Sequence, residues 1–324
     1  MNVSKIPGCG SFGVYVDNLD LNKISDEEWY ELGQAHLKQL VTIIRDVDIS
    51  INRFEELVKK WGLPRSVDGY NVNRKKEFTE EDKRHFENCK HVGIDNSLIV
   101  KVTGKRNKEG KIQGIFANGE LKWHSNESGQ LAFTPGVALL CGSNYKETST
   151  GFVTTTDWYE KQTQTFRTEL DEMIVEHKFD YEKLNPGFDK DEETIMRRNF
   201  GEDGELPLII QSPGGVRGLH LGMSTFYKIK DMSMEKSNIF FEKICNEIFT
   251  DEYMYDHIYS DKKDLCFFDN SITLHRRTKS KTEREMYRLQ FDYTNLISEY
   301  NFYFQEPYKS DFSVLYQDIN RVCG

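Results

Sequence analysis

The chain has 324 residues, 37% hydrophobic and 13% aromatic, enough to bury one large core or at most two. A net charge of −10 and a pI near 5.4 argue against a nucleic-acid binder, which normally displays a basic surface. With a mean hydropathy of −0.66, no apolar run near the ~20 residues of a membrane span and no signal-like stretch in the opening MNVSKIPGCGSFG, the expectation is a cytoplasmic, non-membrane protein.

From the N-terminus, SDEEWYELGQAHLKQL begins with Ser25 and Glu28 in capping-box spacing and predicts a helix of about four turns. VTIIRD (41–46) reads as a short buried strand. SINRFEELVKKWG puts Phe54, Leu57, Val58 and Trp61 on one helical face, with Gly62 as the C′ residue and Pro64 just beyond it. Residues 66–96 are polar and aperiodic, a long loop and candidate lid. SLIVKVTGKRNKEGKIQGIF predicts a hairpin turning at NKEG, and FTPGVALLCGSN another strand. DWYEKQTQTFRTELDEMIVEH reads as helical, and the acidic segment around 187–205 as an insertion or second lid. LPLIIQSPGGVRGLHLGM gives two strands around Pro-Gly-Gly, and SMEKSNIFFEKICNEIF an amphipathic helix. DLCFFDN, SITLH and MYRLQFDYTNL supply the last strands.

Helices come early and strands late, without β-α alternation and without a G-x-G-x-x-G or G-x-x-x-x-G-K-[ST] loop. A nucleotide-binding α/β sheet is disfavoured. The expected fold is a single domain, 1–324, mainly β with flanking helices around a jelly roll. The six cysteines, at 9, 89, 141, 245, 266 and 323, form no C-x-x-C pair and read as reduced thiols.

The residues that could carry chemistry are few. Non-haem iron oxygenases hold Fe(II) by two imidazoles and one carboxylate, leaving the opposite positions open. In sequence this is H-x-[DE], a long gap, a second His, then Arg on a following strand. Residues i and i+2 on extended backbone point the same way, so such a pair can share a metal. Here His124 and Asn126 are the i, i+2 pair, His275 follows 151 residues later, and Arg284 and Arg288 lie at +9 and +13. A planar guanidinium suits a terminal carboxylate because it makes two charge-assisted bonds at once.

These blocks resemble the Fe(II)/2-oxoglutarate dioxygenases of the taurine dioxygenase and clavaminate synthase type. The resemblance covers most of the chain: FGVYVDNLDL through VKKWG, then LKWHSNESGQLAFTPGVALLCG, STGFVTTTDWYE, QSPGGVRGLHL, and KDLCFFDNSITLHRRT with REMYR, all in the family's order. It implies a double-stranded β-helix, His124 and His275 as iron ligands, and 2-oxoglutarate as co-substrate. It also implies that Arg288 or Arg284 grips the distal carboxylate of 2-oxoglutarate, with Arg288 preferred, and that Thr154 assists. Asn270 in FDN is expected to fix the turn before the strand carrying His275.

The departure is Asn126, where the family has an acidic residue. The amide has the same shape but no charge, and its oxygen is a weaker donor to a hard cation. Four readings stay open. Asn126 ligates through its carbonyl oxygen; water, chloride or another anion fills the third place; Glu127 or another carboxylate substitutes; or the site is degenerate or altered. Halogenases of this superfamily leave room for chloride with Gly or Ala at this position, and Asn gives no such room. The expected function is a hydroxylase acting on a small polar acid or amino-acid-like molecule. A halogenase, a catalytically silent 2-oxoglutarate binder and a metal-free partner-binding jelly roll are the alternatives. The basic run HRRTKSKTER reads as a solvated loop, and Trp123, Tyr70 and His220 read as packing residues rather than pocket lining.

Overall fold

The computed structural model describes residues 1–65, 79–80, 97–110, 113–116, 119–128, 133–178, 180, 204–279 and 283–297. The expected lids at 66–96 and 187–205 lie outside the described residues, apart from Thr79, Glu80 and a strand start at 204–205.

Strands β1 (Asn2–Lys5) and β2 (Val14–Asp17) precede helix α1 (Asp26–Gln39), strand β3 (Val41–Ile44) and helix α2 (Ile51–Trp61). Strands β4 (Pro64–Arg65), β5 (Val100–Thr103), β6 (Leu121–His124), β7 (Gly136–Ser143) and β8 (Ser149–Thr154) follow. Next come helices α3 (Thr156–Glu160) and α4 (Gln164–Glu172), then β9 (Ile174–His177), β10 (Gly204–Pro207), β11 (Ile209–Gln211), β12 (Arg217–Leu219) and β13 (Phe226–Ile229). Helix α5 (Met234–Ile248) and strands β14 (Met254–Ile258), β15 (Leu265–Asp269), β16 (Thr273–Arg277) and β17 (Glu285–Phe291) complete the described chain.

The N-terminal elements form as their sequence dictates. The Ser25 hydroxyl accepts the Glu28 N–H, and the Glu28 carboxylate accepts the Ser25 N–H, closing the capping box of α1. Trp29 and Trp61 stack at 4.5 Å, and each indole N–H donates to a carbonyl of the other helix. Gly62 departs from the expected left-handed cap: its φ is 179°, ordinary extended backbone. Glycine is needed there for space, since a Cβ would meet the Tyr293 nitrogen at 2.4 Å.

Two further expectations are corrected. The segment MIVEH is not helical. The helix stops at Glu172, and Ile174–His177 pairs with β10 and β13, because β-branched Ile174 and Val175 find strand partners there. The expected hairpin after residue 97 keeps its turn, where the Gly110 N–H donates to Asn107 O. Among the described residues the return arm then meets β5 through one parallel bridge, Val102 with Ile115, rather than an antiparallel ladder. Gly114 permits that approach, since a Cβ would lie 2.6 Å from the Lys101 carbonyl oxygen.

The larger sheet has the order β1-β2-β3-β15-β7-β17-β4, with β5 also on β17; the smaller is β14-β8-β16-β6. Strand alternation sorts the side chains. Val137, Leu139 and Cys141 of β7 join Phe152, Phe268 and Met286 in the core between the sheets. Ala138 and Leu140 join Trp29, Phe54 and Trp61 under the helices. Behind the smaller sheet, Trp123, Val153 and Leu274 pack against Ile244 and Ile248 of α5. The architecture is the expected jelly roll.

Candidate active site

The site is built where β6 meets β16. His124 pairs directly with His275, while Leu121 pairs with Arg277, so β6 carries one more residue than β16 over that span. Such a bulge re-aims side chains on one strand. The two imidazoles lie side by side on one face, their ring centroids 4.2 Å apart. Trp123 instead joins the outer core and stacks on Phe249.

His124 Nδ1 lies 2.6 Å from the Lys122 carbonyl oxygen. A carbonyl only accepts, so Nδ1 carries the proton and Nε2 presents its lone pair. Burial pulls the His124 pKa down to about 4, aided by the Arg288 and Arg277 charges and opposed by the Lys122 carbonyl. Burial, then His124 and Arg288, hold His275 well below the ordinary imidazole value. Both rings are neutral near pH 7, the form that ligates metal.

Asn126 sits in the turn after β6, buried, so the extended i, i+2 geometry expected from sequence gives way to a turn. Asn270 clamps it: the Asn126 N–H donates to Asn270 Oδ1 at 2.8 Å, and Asn270 Nδ2 donates to the carbonyls of Asn126 and Thr134. Asn270 thus holds the turn after β6. Asn126 Nδ2 is buried with no hydrogen-bond partner among the described residues. Glu127, at φ 63°, turns away, and its carboxylate accepts from the Thr134 N–H at 2.6 Å and from Gln290 Nε2 on β17. Among the described residues no three His, Cys, Asp or Glu side chains are grouped to hold a metal. The two neutral imidazoles fit a borderline divalent ion such as iron, and Asn126, two residues on from His124, could add only an uncharged amide oxygen.

On β17, Met286 joins the core between the sheets, so Arg288 and Gln290, two and four residues on, share its side. Arg288 is buried, lies 5.5 Å over the Phe116 ring and is felt by both imidazoles. Arg284, just before β17, is 3% exposed. Its Nη1 donates to Ser149 O at 3.3 Å, its Nε has no partner, and no carboxylate among the described residues bonds it. Burial pulls its pKa down to about 10. Thr154 is fully buried and its hydroxyl donates to Cys9 O at 3.2 Å. Because Phe152 is the residue opposite His275, Thr154 lies two residues to one side of that level and Ser149 three to the other. The strand therefore separates Thr154 from Arg284. Thr150 is on the Arg284 side, bonded to Tyr259 OH at 2.9 Å.

The fold also adds residues that motif reading missed. Phe268 lies 4.7 Å from the His275 ring and 5.3 Å from Phe152, forming an apolar wall. Arg277 donates from Nε and Nη2 to Gly119 O and from Nη1 to Phe116 O, tying β16 to the segment that leads into β6. Strand parity with His275 was the one signal for Arg277. A separate groove of about 890 Å³ lies near Tyr15, Arg45 and His257. Of its charged groups, Asp17 pairs with Arg45 and Asp264 with His257, and it lies away from the paired imidazoles.

The model of the family described as taurine catabolism dioxygenase TauD, TfdA family matches residues 2–290. The chain belongs to the TauD/TfdA family. This TauD/TfdA protein is thus an Fe(II)- and 2-oxoglutarate-dependent dioxygenase. The solved structure of AAD-2 in complex with Mn(II) and N-oxalylglycine superposes with a TM-score of 0.65 at 18% identity, covering 90% of this chain and 97% of that one. A taurine dioxygenase from Burkholderia xenovorans gives 0.62 at 16% identity, covering 90% of each chain. At these identities the likeness is one of fold. No curated protein matches the chain. No helix among the described residues is long and apolar enough to cross a membrane.

Proposed function

We propose that this TauD/TfdA protein hydroxylates a small acid or amino-acid-like molecule, with iron held by His124 Nε2, His275 and the Asn126 amide oxygen. The observation that carries this reading is the pair of neutral imidazoles 4.2 Å apart, with Asn126 buried in the turn that follows His124. When bound, iron and 2-oxoglutarate supply the oxidant, 2-oxoglutarate leaving as succinate and CO2 while one oxygen atom enters the substrate.

The protein's own part is positioning and exclusion of water. Arg284 anchors the distal carboxylate of 2-oxoglutarate. Sequence order favours Arg288 for that role, but charge balance favours Arg284: it is a buried cation with one backbone bond and, among the described residues, no counter-ion, the arrangement an incoming carboxylate completes. Arg288, whose charge reaches both imidazoles, then serves an acidic group of the substrate. Thr150 lies on the Arg284 side of β8 and is better placed than Thr154 to line the co-substrate. Phe152 and Phe268 keep water from that side of His275. Asn126 fills its own place, so a halide gains no room and hydroxylation is favoured over halogenation.

Anaerobic titration with Fe(II) and 2-oxoglutarate tests the reading. A visible charge-transfer band that disappears in His275→Ala is expected, followed by succinate release with a panel of amino acids. No band with the wild-type chain would overturn it, and a band without succinate release would leave a silent binder.

A further inference from the structure

Two more imidazoles stand beyond the metal pair. His177 and His220 are 1% and 0% exposed, with ring centroids 5.9 Å apart. In each the Nδ1 is engaged and, among the described residues, the Nε2 is buried without a partner. His220 Nδ1 lies 2.8 Å from Ser271 O, a pure acceptor, so the proton is on Nδ1 and Nε2 is a bare lone pair. His177 Nδ1 meets the Thr225 hydroxyl at 3.0 Å, and that hydroxyl also lies 3.4 Å from Gly222 O; with the hydroxyl proton on Gly222 O, His177 Nδ1 donates and Nε2 is likewise an acceptor. Burial holds both rings neutral.

Buried acceptors without donors cost stability, and these two belong to rings only 5.9 Å apart, so one group with several N–H donors could satisfy both. Their position is informative. Ser271 follows Asn270, the clamp on the Asn126 turn. Phe133, which stacks on His220 at 4.9 Å, precedes Thr134, bonded to that same Asn270 and to Glu127. Through both Ser271 and Phe133, His220 is tied to residues adjacent to the Asn270–Thr134 clamp on the turn after His124.

We propose that His177 and His220 recognise an ammonium group of the substrate, each Nε2 accepting one of its N–H donors. This rests on the active-site reading above and narrows its substrate class to amines. Two neutral lone pairs in a buried site offer a carboxylate nothing to bind, and an apolar substrate leaves both unsatisfied. A protonated amine carries three donors and a charge that imidazole acceptors stabilise.

The test is nitrogen NMR of the full chain labelled at histidine, loaded with Zn(II) and 2-oxoglutarate. The probes are n-propylammonium and n-pentylammonium, with carboxylates of equal length as controls. Shifts of the His177 and His220 Nε2 resonances with an ammonium, and not with its carboxylate, are expected. His220→Phe keeps the stack on Phe133 but removes an acceptor, and should weaken ammonium binding about 10- to 100-fold. The proposal is overturned if neither ammonium moves these resonances, if they already sit at hydrogen-bonded positions in the free chain, if Zn(II) alone moves them, or if His220→Phe binds as wild type. The His124 and His275 resonances report separately on the metal site: their failure to move with Zn(II) would sink the active-site reading, not the ammonium assignment alone.

Discussion

Arg284→Met should make the free protein more stable while destroying its grip on 2-oxoglutarate. In the absence of ligand the guanidinium is buried, with one 3.3 Å bond to Ser149 O and an unpartnered Nε. Burial pulls its pKa down to about 10, well below the ordinary guanidinium value, so the folded state holds the cation less willingly than the unfolded chain does. That difference corresponds to roughly 3 kcal/mol against folding. Methionine fills similar volume without charge and gives up one backbone hydrogen bond, worth about 1 kcal/mol. A net gain of about 2 kcal/mol raises the melting temperature by roughly 2–4 °C for a large domain. Binding should move the other way. Losing one partner of a buried charge pair costs about 2–5 kcal/mol, or roughly one and a half to three and a half decades in the Kd of 2-oxoglutarate. Thermal unfolding of both proteins with Mn(II), with and without 2-oxoglutarate, measures both effects. A variant that melts lower than wild type when free, or that 2-oxoglutarate stabilises as much as wild type, would refute the assignment.

Three further outcomes are expected. Asn126→Asp adds the missing negative charge to the donor set and should tighten Mn(II) binding about tenfold by calorimetry; unchanged affinity would mean that residue 126 does not ligate. His36 is buried between the Thr42 and Tyr293 hydroxyls, and burial pulls its pKa down to about 3. Because the folded value lies below the unfolded one, its contribution is intact above about pH 6.5 and is lost as pH falls towards 3. Urea unfolding of His36→Gln should therefore lose up to ~1.4 kcal/mol less per pH unit than wild type in that window, and identical slopes would show that His36 does not titrate on unfolding. Gly62→Ala drives a methyl to 2.4 Å from the Tyr293 nitrogen and should cost about 1–3 kcal/mol in urea unfolding, whereas no loss would mean that the backbone there yields freely.

Much of this was legible in the chain itself, because some signals are local. The capping box at Ser25 and Glu28, the Phe54–Trp61 face and the Pro-Gly-Gly turn fix their elements through contacts a few residues apart. Two histidines with a trailing arginine pair, in their flanking blocks, likewise point to the metal chemistry. Tertiary structure decided the rest. The fate of MIVEH depended on strands more than 25 residues away, which no local propensity registers. The pairing that sets His124, rather than Trp123, opposite His275 exists only once β6 meets β16 in the folded sheet. Which arginine lacks a counter-ion, where Glu127 points, and that His177 and His220 are left without donors are questions of who is nearby once the chain is folded. Residue type sets what chemistry a side chain can do, and burial beside particular neighbours sets whether it must do it.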